Sequence, residues 1–301
     1  MSNVPAYVSR SGYKIPAIAL GVYKTPVNEA PKLVHSALNI GYRHIDCAQF
    51  YNNEKEVLQG VAEWINENPK TNKRSDVFYT TKIFDQNHGY ELTKAAIQQS
   101  LDNIKGISDY LDLVLIHSPQ SNKEKRLGSY KALQEFAEAG FIHSIGVSNY
   151  GIHHLEELYA WEGLKIEPAV NQVELHPWLM RNELVKYCRN KGILLEAYSP
   201  LVRGQKFDKD ENVMSLSKKY NKSQAQIMIR WSIQQGFVTL PKTSNPGRLA
   251  SNFDVFNFDN PERLVSNFDV WDFEIKDEDM EILNMPNSYF VTGWDPTTFH
   301  D

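Results

Sequence analysis

The alternation of short apolar runs with helix-periodic segments, repeated along the whole chain with no linker between them, constrains the fold more than any single motif does. Strand-like runs fall at 17–23, 43–46, 77–82, 111–117, 144–148, 169–173, 193–198 and 238–241. Helical periodicity follows at 29–39, 55–66, 91–104, 124–139, 152–161 and 183–190, then as a pair at 212–220 and 223–235. The run 111–117 carries no charge after Asp112, the pattern of a strand buried on both faces. Eight β-then-α steps in one unbroken domain, residues 1–301, predict an α/β fold of the closed parallel (β/α)8 TIM barrel type. A doubly wound open sheet is the alternative, but no Gly-x-Gly-x-x-Gly follows an early strand as a Rossmann site requires. Residues 7–15 precede the barrel as a β-hairpin turning at Ser11-Gly12, and the tail 287–301, with Trp294, is expected to lie over the barrel mouth.

One element is doubled. NPGRLASNFDVFNF at 245–258 recurs as NPERLVSNFDVWDF at 260–273, an offset of 15 residues. A single tandem copy is a duplicated helical element and not a solenoid. A barrel has one place for its eighth helix, so one copy fills it and the other forms an appendage.

The composition narrows the partners. With 37 acidic against 32 basic residues, the chain carries a formal charge of −5 and no electrostatic footprint for nucleic acid or an anionic membrane. No apolar run approaches the ~20 residues of a membrane helix. Cys47 and Cys188 are too few for a disulfide framework and have no metal spacing, so no metal is expected. The N-terminus lacks the apolar core of a signal peptide. A cytoplasmic protein is expected, monomeric or a weak homodimer, acting on a small molecule.

The chemistry gathers at the strand ends. Asp46 closes the second strand, Lys82 the third and His117 the fourth. Ser148-Asn149 closes the fifth, Gln172 lies in the sixth, Tyr198-Ser199 closes the seventh and Lys242 the eighth. In a parallel barrel all these ends share one face, the face that carries active sites. Taken singly, Lys82 reads as a solvated lysine and His117 as a capped core histidine; as a set on one face they read as a site. Tyr51 follows Asp46 on a polar loop. A phenol titrating near ~10 is a poor proton donor at neutral pH. Lys82 as an ammonium is expected to lower the Tyr51 pKa, with Asp46 keeping Lys82 charged. A neutral His117 can donate a hydrogen bond to a substrate oxygen.

No serine or cysteine nucleophile has an adjacent base, which disfavours acyl transfer. Glycoside cleavage would need a second acid on this face, for which Asp112, Glu174 and Glu196 are the candidates, all inside strand runs. A proton donor and an oxygen-orienting donor without a nucleophile suit carbonyl reduction with hydride from a bound cofactor. Asn149 and Gln172 are amides able to hold a carboxamide, and Tyr198 can stack on an aromatic ring. Lys242 and Arg248, with Thr243 and Ser244 between them, precede a helix start marked by Asn245 and Pro246, which makes an anion site.

GYRHIDCAQFYNNE, TTKI, DLVLIHSP, IGVSNY, VNQVELHPW, EAYSPL and PKTSNPGRLASNF, in that order over nearly the whole chain, resemble the aldo-keto reductase family. The resemblance implies a catalytic tetrad of Asp46, Tyr51, Lys82 and His117, with Tyr51 the proton donor. It implies nicotinamide contacts from Ser148, Asn149, Gln172 and Tyr198, and further cofactor positions at Val22, Ser199, Leu201 and Ser244. Lys242, Thr243, Arg248 and Asn252 match the residues that hold a 2′-phosphate and adenine, which implies NADPH; Tyr23, Phe50 and Phe84 match substrate-pocket positions.

Three departures from the family pattern bear on function. Ser118 stands where many members carry a bulky aromatic, and is expected to leave a wider, more polar mouth. The segment after Tyr198 is short, as in microbial and fungal members, which implies a looser cofactor belt and faster exchange. In the duplication, Arg248 and Asn252 keep the family's spacing from Lys242, whereas the second copy offers Arg263 and Asn267 behind Glu262, a charge that would repel phosphate. The expected function is NADPH-dependent reduction of aldehydes and activated ketones of α-dicarbonyl type. An NAD(P)-linked sugar or alcohol dehydrogenase and a nucleotide-sensing subunit with little turnover are the alternatives.

Overall fold

A computed structural model describes residues 4–242, 270–271 and 273–301. A hairpin of β1 (Ala6–Val8) and β2 (Lys14–Pro16) leads into eight parallel strands. These are β3 (Leu20–Gly21), β4 (His44–Asp46), β5 (Phe78–Ile83), β6 (Leu111–Ile116), β7 (Ile142–Ser148), β8 (Val170–Glu174), β9 (Leu194–Tyr198) and β10 (Val238–Leu240). Each pairs with its successor, and the sheet closes on itself where Ile18 bridges Thr239. Two bonds of 2.9 Å make the seam, Ala19 N to Thr239 O and Thr239 N to Ala17 O. The β3–β4 ladder spans Leu20–Gly21, and just before it Ala17 N donates to Pro5 O of the segment leading into the hairpin.

The helices occupy the expected segments: α1 (Ala30–Ile40), α2 (Glu54–Glu67), α3 (Tyr90–Ile104), α4 (Lys123–Glu138), α5 (Ile152–Tyr159), α6 (Asn182–Asn190), α7 (Glu211–Tyr220) and α8 (Gln224–Gln234). Local chemistry sets their ends. Pro31 opens α1 where its missing N–H is not needed, and Gly41 closes it at φ 128. Asn122, Asp210 and Ser223 cap α4, α7 and α8 with side-chain oxygens. None of the helices among the described residues is long and apolar enough to cross a membrane.

Two apolar layers result. The shell between strands and helices takes the outward side chains, such as Ile45, Val114, Val147 and Val173. Inside the barrel lie Ala19, Phe78, Leu113, Leu115, Val170, Val238 and Leu240, stoppered at the N-terminal end by Ile15 of the hairpin. An interior filled this way is a packed floor and not a pore. Apart from His44, at the start of β4 and bonded to Thr80 at 2.8 Å, the larger polar groups of the interior lie above this floor, toward the C-terminal ends of the strands.

The tail runs along the rim of that face. Phe290 N donates to Trp178 O (2.9 Å) and Thr292 N to the Glu174 carboxylate (3.0 Å), both beyond or at the end of β8. Arg181 pairs with Asp295 at 2.8 Å, and Asp301 reaches Arg126 of α4 at 2.9 Å. The duplicated segment at 245–273 lies outside the described residues apart from Val270, Trp271 and Phe273.

Gly60 marks the closest approach of α2 to α1: a Cβ there would stand 2.5 Å from Pro31 O and 2.8 Å from the Val34 Cβ. Alanine would gain about 1 kcal/mol of helix propensity but force apart a packed contact that costs about 1–3 kcal/mol. The clash is with backbone, so it should dominate: Gly60→Ala is expected to lower the urea midpoint, measured by circular dichroism.

Candidate active site

At the end of β4 and β5 the barrel buries an ion pair. Lys82 Nζ lies 2.7 Å from Asp46 Oδ1, 2.8 Å from Cys47 O and 3.3 Å from Tyr51 Oη. The Lys82 side chain is fully buried and its three ammonium protons meet three acceptors. Burial opposes its charge, but Asp46 and Tyr51 outweigh that and hold Lys82 above its usual pKa. An ammonium only donates, so Tyr51 Oη is the acceptor in that contact and its own proton is left to give elsewhere.

The expected lowering of the Tyr51 pKa is not the net outcome. Burial pushes the phenol above its usual value; Lys82 acts downward, as expected, but by less. Tyr51 is therefore protonated throughout the physiological range, the state an acid must start from. It is placed by a single turn of 3-10 helix, Gln49–Tyr51, which Asn52 closes at φ 54.

His117 lies one residue past β6, where its N–H still donates to Ile83 O at 3.0 Å. Burial first, then Lys82 and His88, drive its pKa well below the usual imidazole value, so the ring is neutral. It stands edge-on to Tyr51 at 5.9 Å between centroids, and to Phe50 and Phe84 at 6.2 and 6.0 Å. Phe50 and Phe84 stack at 4.4 Å, and Tyr23 leans on Tyr51 at 5.0 Å. The phenol and the imidazole thus sit at the base of an aromatic wall.

The next three strands are wired to the same pair. Tyr198 Oη donates to Asn149 Oδ1 (2.8 Å), whose amide nitrogen donates to His117 O (2.9 Å). Ser148 Oγ donates to Gln172 O (2.8 Å), and Gln172 Nε2 lies 2.9 Å from Asp46 Oδ1 and 2.7 Å from Glu196 Oε2. Burial, then the negative charge of Asp46, pushes Glu196 up to about 8, against Gln172 and Lys82. The other weighed carboxylates are elsewhere engaged: Asp112 with Arg74 at 2.5 Å, and Glu174 with His176 and the tail.

A second group of cations lies beside the mouth. Lys24, after β3, and Lys242, after β10, stand 5.4 and 5.0 Å from the Tyr23 ring centre. Lys242 Nζ is buried with no hydrogen-bond partner among the described residues. Burial, then Lys24 and Arg203, lower its pKa to about 7. Among the described residues none of these three cations forms a salt bridge, which leaves a local excess of positive charge beside the mouth. Backbone strain points the same way. Of the eight non-glycine residues at positive φ among the described residues, Lys24, Asn52, Asn149, Arg181, Ser199, Val202 and Arg203 are on loops that follow strands; Asn221 alone is not. A β-branched valine at φ 43 is a genuine outlier.

The expectation of a more polar mouth at Ser118 is not met. Ser118 is fully buried, its hydroxyl donating to Asp85 at 2.6 Å and accepting from Gln120 N at 3.1 Å, so it lends no polarity to the mouth. Val22 is buried, its N–H donating to Asp46 O and its carbonyl accepting from Asn53 and Thr25. Leu201 is buried and Ser199 takes a left-handed turn just after Tyr198. Thr243, Ser244, Arg248, Asn252, Arg263 and Asn267 lie outside the described residues. No motif in the sequence sets Lys24 or Arg203 apart, although each follows a strand end as Lys242 does.

The sequence model of the Aldo/keto reductase family matches residues 17–260. An uncharacterized oxidoreductase of Saccharomyces cerevisiae is 42% identical over 97% of both chains. A glyoxal reductase of Bacillus subtilis is 42% identical over 83% of this chain and 86% of its own. The crystal structure of an aldo-keto reductase from a deep-sea metagenome library of the Medee basin superposes with a TM-score of 0.81, at 36% identity, over 95% of this chain and 97% of that one.

Removing one member of the buried pair should be costly. Lys82→Met leaves Asp46 buried without its cation and is expected to destabilise the fold by about 3–5 kcal/mol. Adding Asp46→Asn should recover part of that loss in urea unfolding, since the uncompensated charge is gone.

Proposed function

The chain belongs to the aldo/keto reductase family, and on that premise we propose that it is an NADPH-dependent reductase of aldehydes and activated ketones, α-dicarbonyls among them. The observation that carries this reading is the buried Lys82 ammonium, held by Asp46 and donating to a Tyr51 hydroxyl whose proton remains free. The cofactor, when bound, supplies the hydride.

The chain's own residues supply the rest. A carbonyl oxygen between Tyr51 and neutral His117 accepts hydrogen bonds from both, which orients the carbonyl and stabilises the negative charge that builds on that oxygen. Tyr51 then gives up its proton to that oxygen, and Lys82 stabilises the phenolate left behind. Asp46 keeps Lys82 charged. The Tyr51 pKa stands high before reaction, which is compatible with donating to an alkoxide, a far stronger base than water. Ser148, Asn149 and Gln172 hold a carboxamide and Tyr198 its ring, while Lys24, Arg203 and Lys242 take phosphate oxygens. Thr243, Ser244, Arg248 and Asn252 complete the grip on the 2′-phosphate and adenine. Tyr23, Phe50 and Phe84 give the substrate an apolar wall, suited to small uncharged carbonyls. The glyoxal reductase relative supports this substrate class.

Loss of NADPH absorbance with a panel of aldehydes and α-dicarbonyls tests the reading. Tyr51→Phe is expected to lower kcat by two or more orders of magnitude, the roughly 10²–10⁴-fold typical of a positioned acid, with NADPH affinity nearly intact. Retained turnover with weakened cofactor binding would overturn the assignment. Arg248→Ala should weaken NADPH far more than NADH; if Arg263→Ala does so instead, the second copy of the duplication holds the cofactor.

A further inference from the structure

Among the described residues, two ionisable groups inside the barrel are left unused by this chemistry: His44 of β4, which burial holds down at about 4 and which pairs with Thr80 at 2.8 Å, and Glu196. Glu196 lies on β9 in register with Gln172 of β8 and Val238 of β10, and it is wholly buried. Its Oε2 is 2.7 Å from Gln172 Nε2, while Oε1 has no hydrogen-bond partner among the described residues. The same Gln172 nitrogen is 2.9 Å from Asp46 Oδ1. One amide therefore spends its two N–H bonds on two carboxyl groups, and its oxygen is turned away from both. That orientation leaves Gln172 Oε1 as an acceptor for the N–H of a carboxamide.

The charge count of this floor is uneven. Among the described residues, the charged groups acting on Glu196 are Asp46 of β4 and Lys82 of β5. Its neighbour β8 offers the neutral Gln172, its own strand offers Tyr198, and β10 offers the apolar Val238 and Leu240. Lys82 is already matched by Asp46, so ionised Glu196 would add a negative charge with no counter-ion. Burial and Asp46 accordingly keep it protonated up to about pH 8.

We propose that Glu196 is a positioning residue that makes this site's preference between a neutral and a cationic nicotinamide ring depend on pH, acting through the Gln172 amide. The inference rests on the nicotinamide-dependent reading above. The reduced ring is neutral and the oxidised ring carries a positive charge, while the phosphates are common to both. With Glu196 protonated, the floor carries no net charge and does not favour either ring. With Glu196 ionised, the floor becomes an anion and favours the oxidised ring. By linkage, binding of the oxidised cofactor releases a proton from Glu196 below its titration, whereas binding of the reduced cofactor does not.

The test is the ratio of the dissociation constants of NADP+ and NADPH, measured by quenching of protein fluorescence from pH 6.5 to 9.5. In the wild type the ratio is expected to fall about tenfold as pH rises through 8, equivalent to about one unit of displacement in the Glu196 titration. Glu196→Gln keeps an oxygen for Gln172 but cannot ionise, and should give a flat ratio. Tyr51→Phe should keep the step, which separates Glu196 from the phenol. A step that survives Glu196→Gln, or vanishes in Tyr51→Phe, overturns the proposal while the reductase reading stands. Failure of the wild type to bind either nucleotide overturns both.

A cofactor-free readout checks the buried acid itself. A carboxyl whose folded pKa is raised stabilises the fold fully only below its unfolded value of about 4.3. That contribution is lost as pH rises toward 8. Glu196→Gln should therefore raise Tm relative to wild type by a margin that widens from pH 5 to pH 8. A margin constant with pH would show that Glu196 is ionised throughout and would also overturn the proposal.

Discussion

An ammonium group inside a barrel is the constraint from which the rest of this structure follows. A lone charge taken from water into a protein interior is prohibitively unfavourable. Lys82 is tolerable only because Asp46, the Cys47 carbonyl and the Tyr51 hydroxyl surround it. Each of those partners needs a fixed place. Asp46 is fixed by β4, Cys47 O by the residue after it, and Tyr51 by a single tight turn. On the proposed reading, stability and chemistry make the same demand of this region, because the groups that satisfy the lysine also place the proposed acid, Tyr51.

The apolar floor and the polar rim divide the work. Ile15, Phe78, Leu115, Val170 and Leu240 exclude water from below, so that the hydrogen bonds above them act in a medium of low polarity. Strain is kept on the loops after the strands, where Asn149, Ser199, Val202 and Arg203 depart from relaxed backbone. Rigid strands hold the positions and bent loops aim the side chains.

Much of this was legible in the sequence, for identifiable reasons. The barrel was readable because hydrophobic periodicity switches between strand and helix spacing with no interruption. That these polar side chains share one face was readable because Asp46, Lys82, His117 and Tyr198 stand at or next to strand ends, with Gln172 inside β8. Three things were not. The direction of the Tyr51 shift depends on how far burial outweighs a neighbouring cation, which no spacing encodes. The fate of Ser118 turns on Asp85, distant in the chain but 2.6 Å away in space. Glu196 looked like a strand-interior acid to be discounted, and only the register of β8 and β9 joins it to Gln172.

The seam between Ile18 and Thr239 has a further consequence for how the protein is made. As the chain leaves the ribosome, Asp46 and Lys82 emerge early, but the strand that closes their barrel comes near the other end. Until β10 arrives, the sheet has two open edges and Lys82 has a route to water. Closure joins contacts that are far apart in sequence, the slow class of folding step. The nascent chain therefore carries an unclosed sheet for most of its synthesis, with strand edges open to pairing with other chains until β10 arrives.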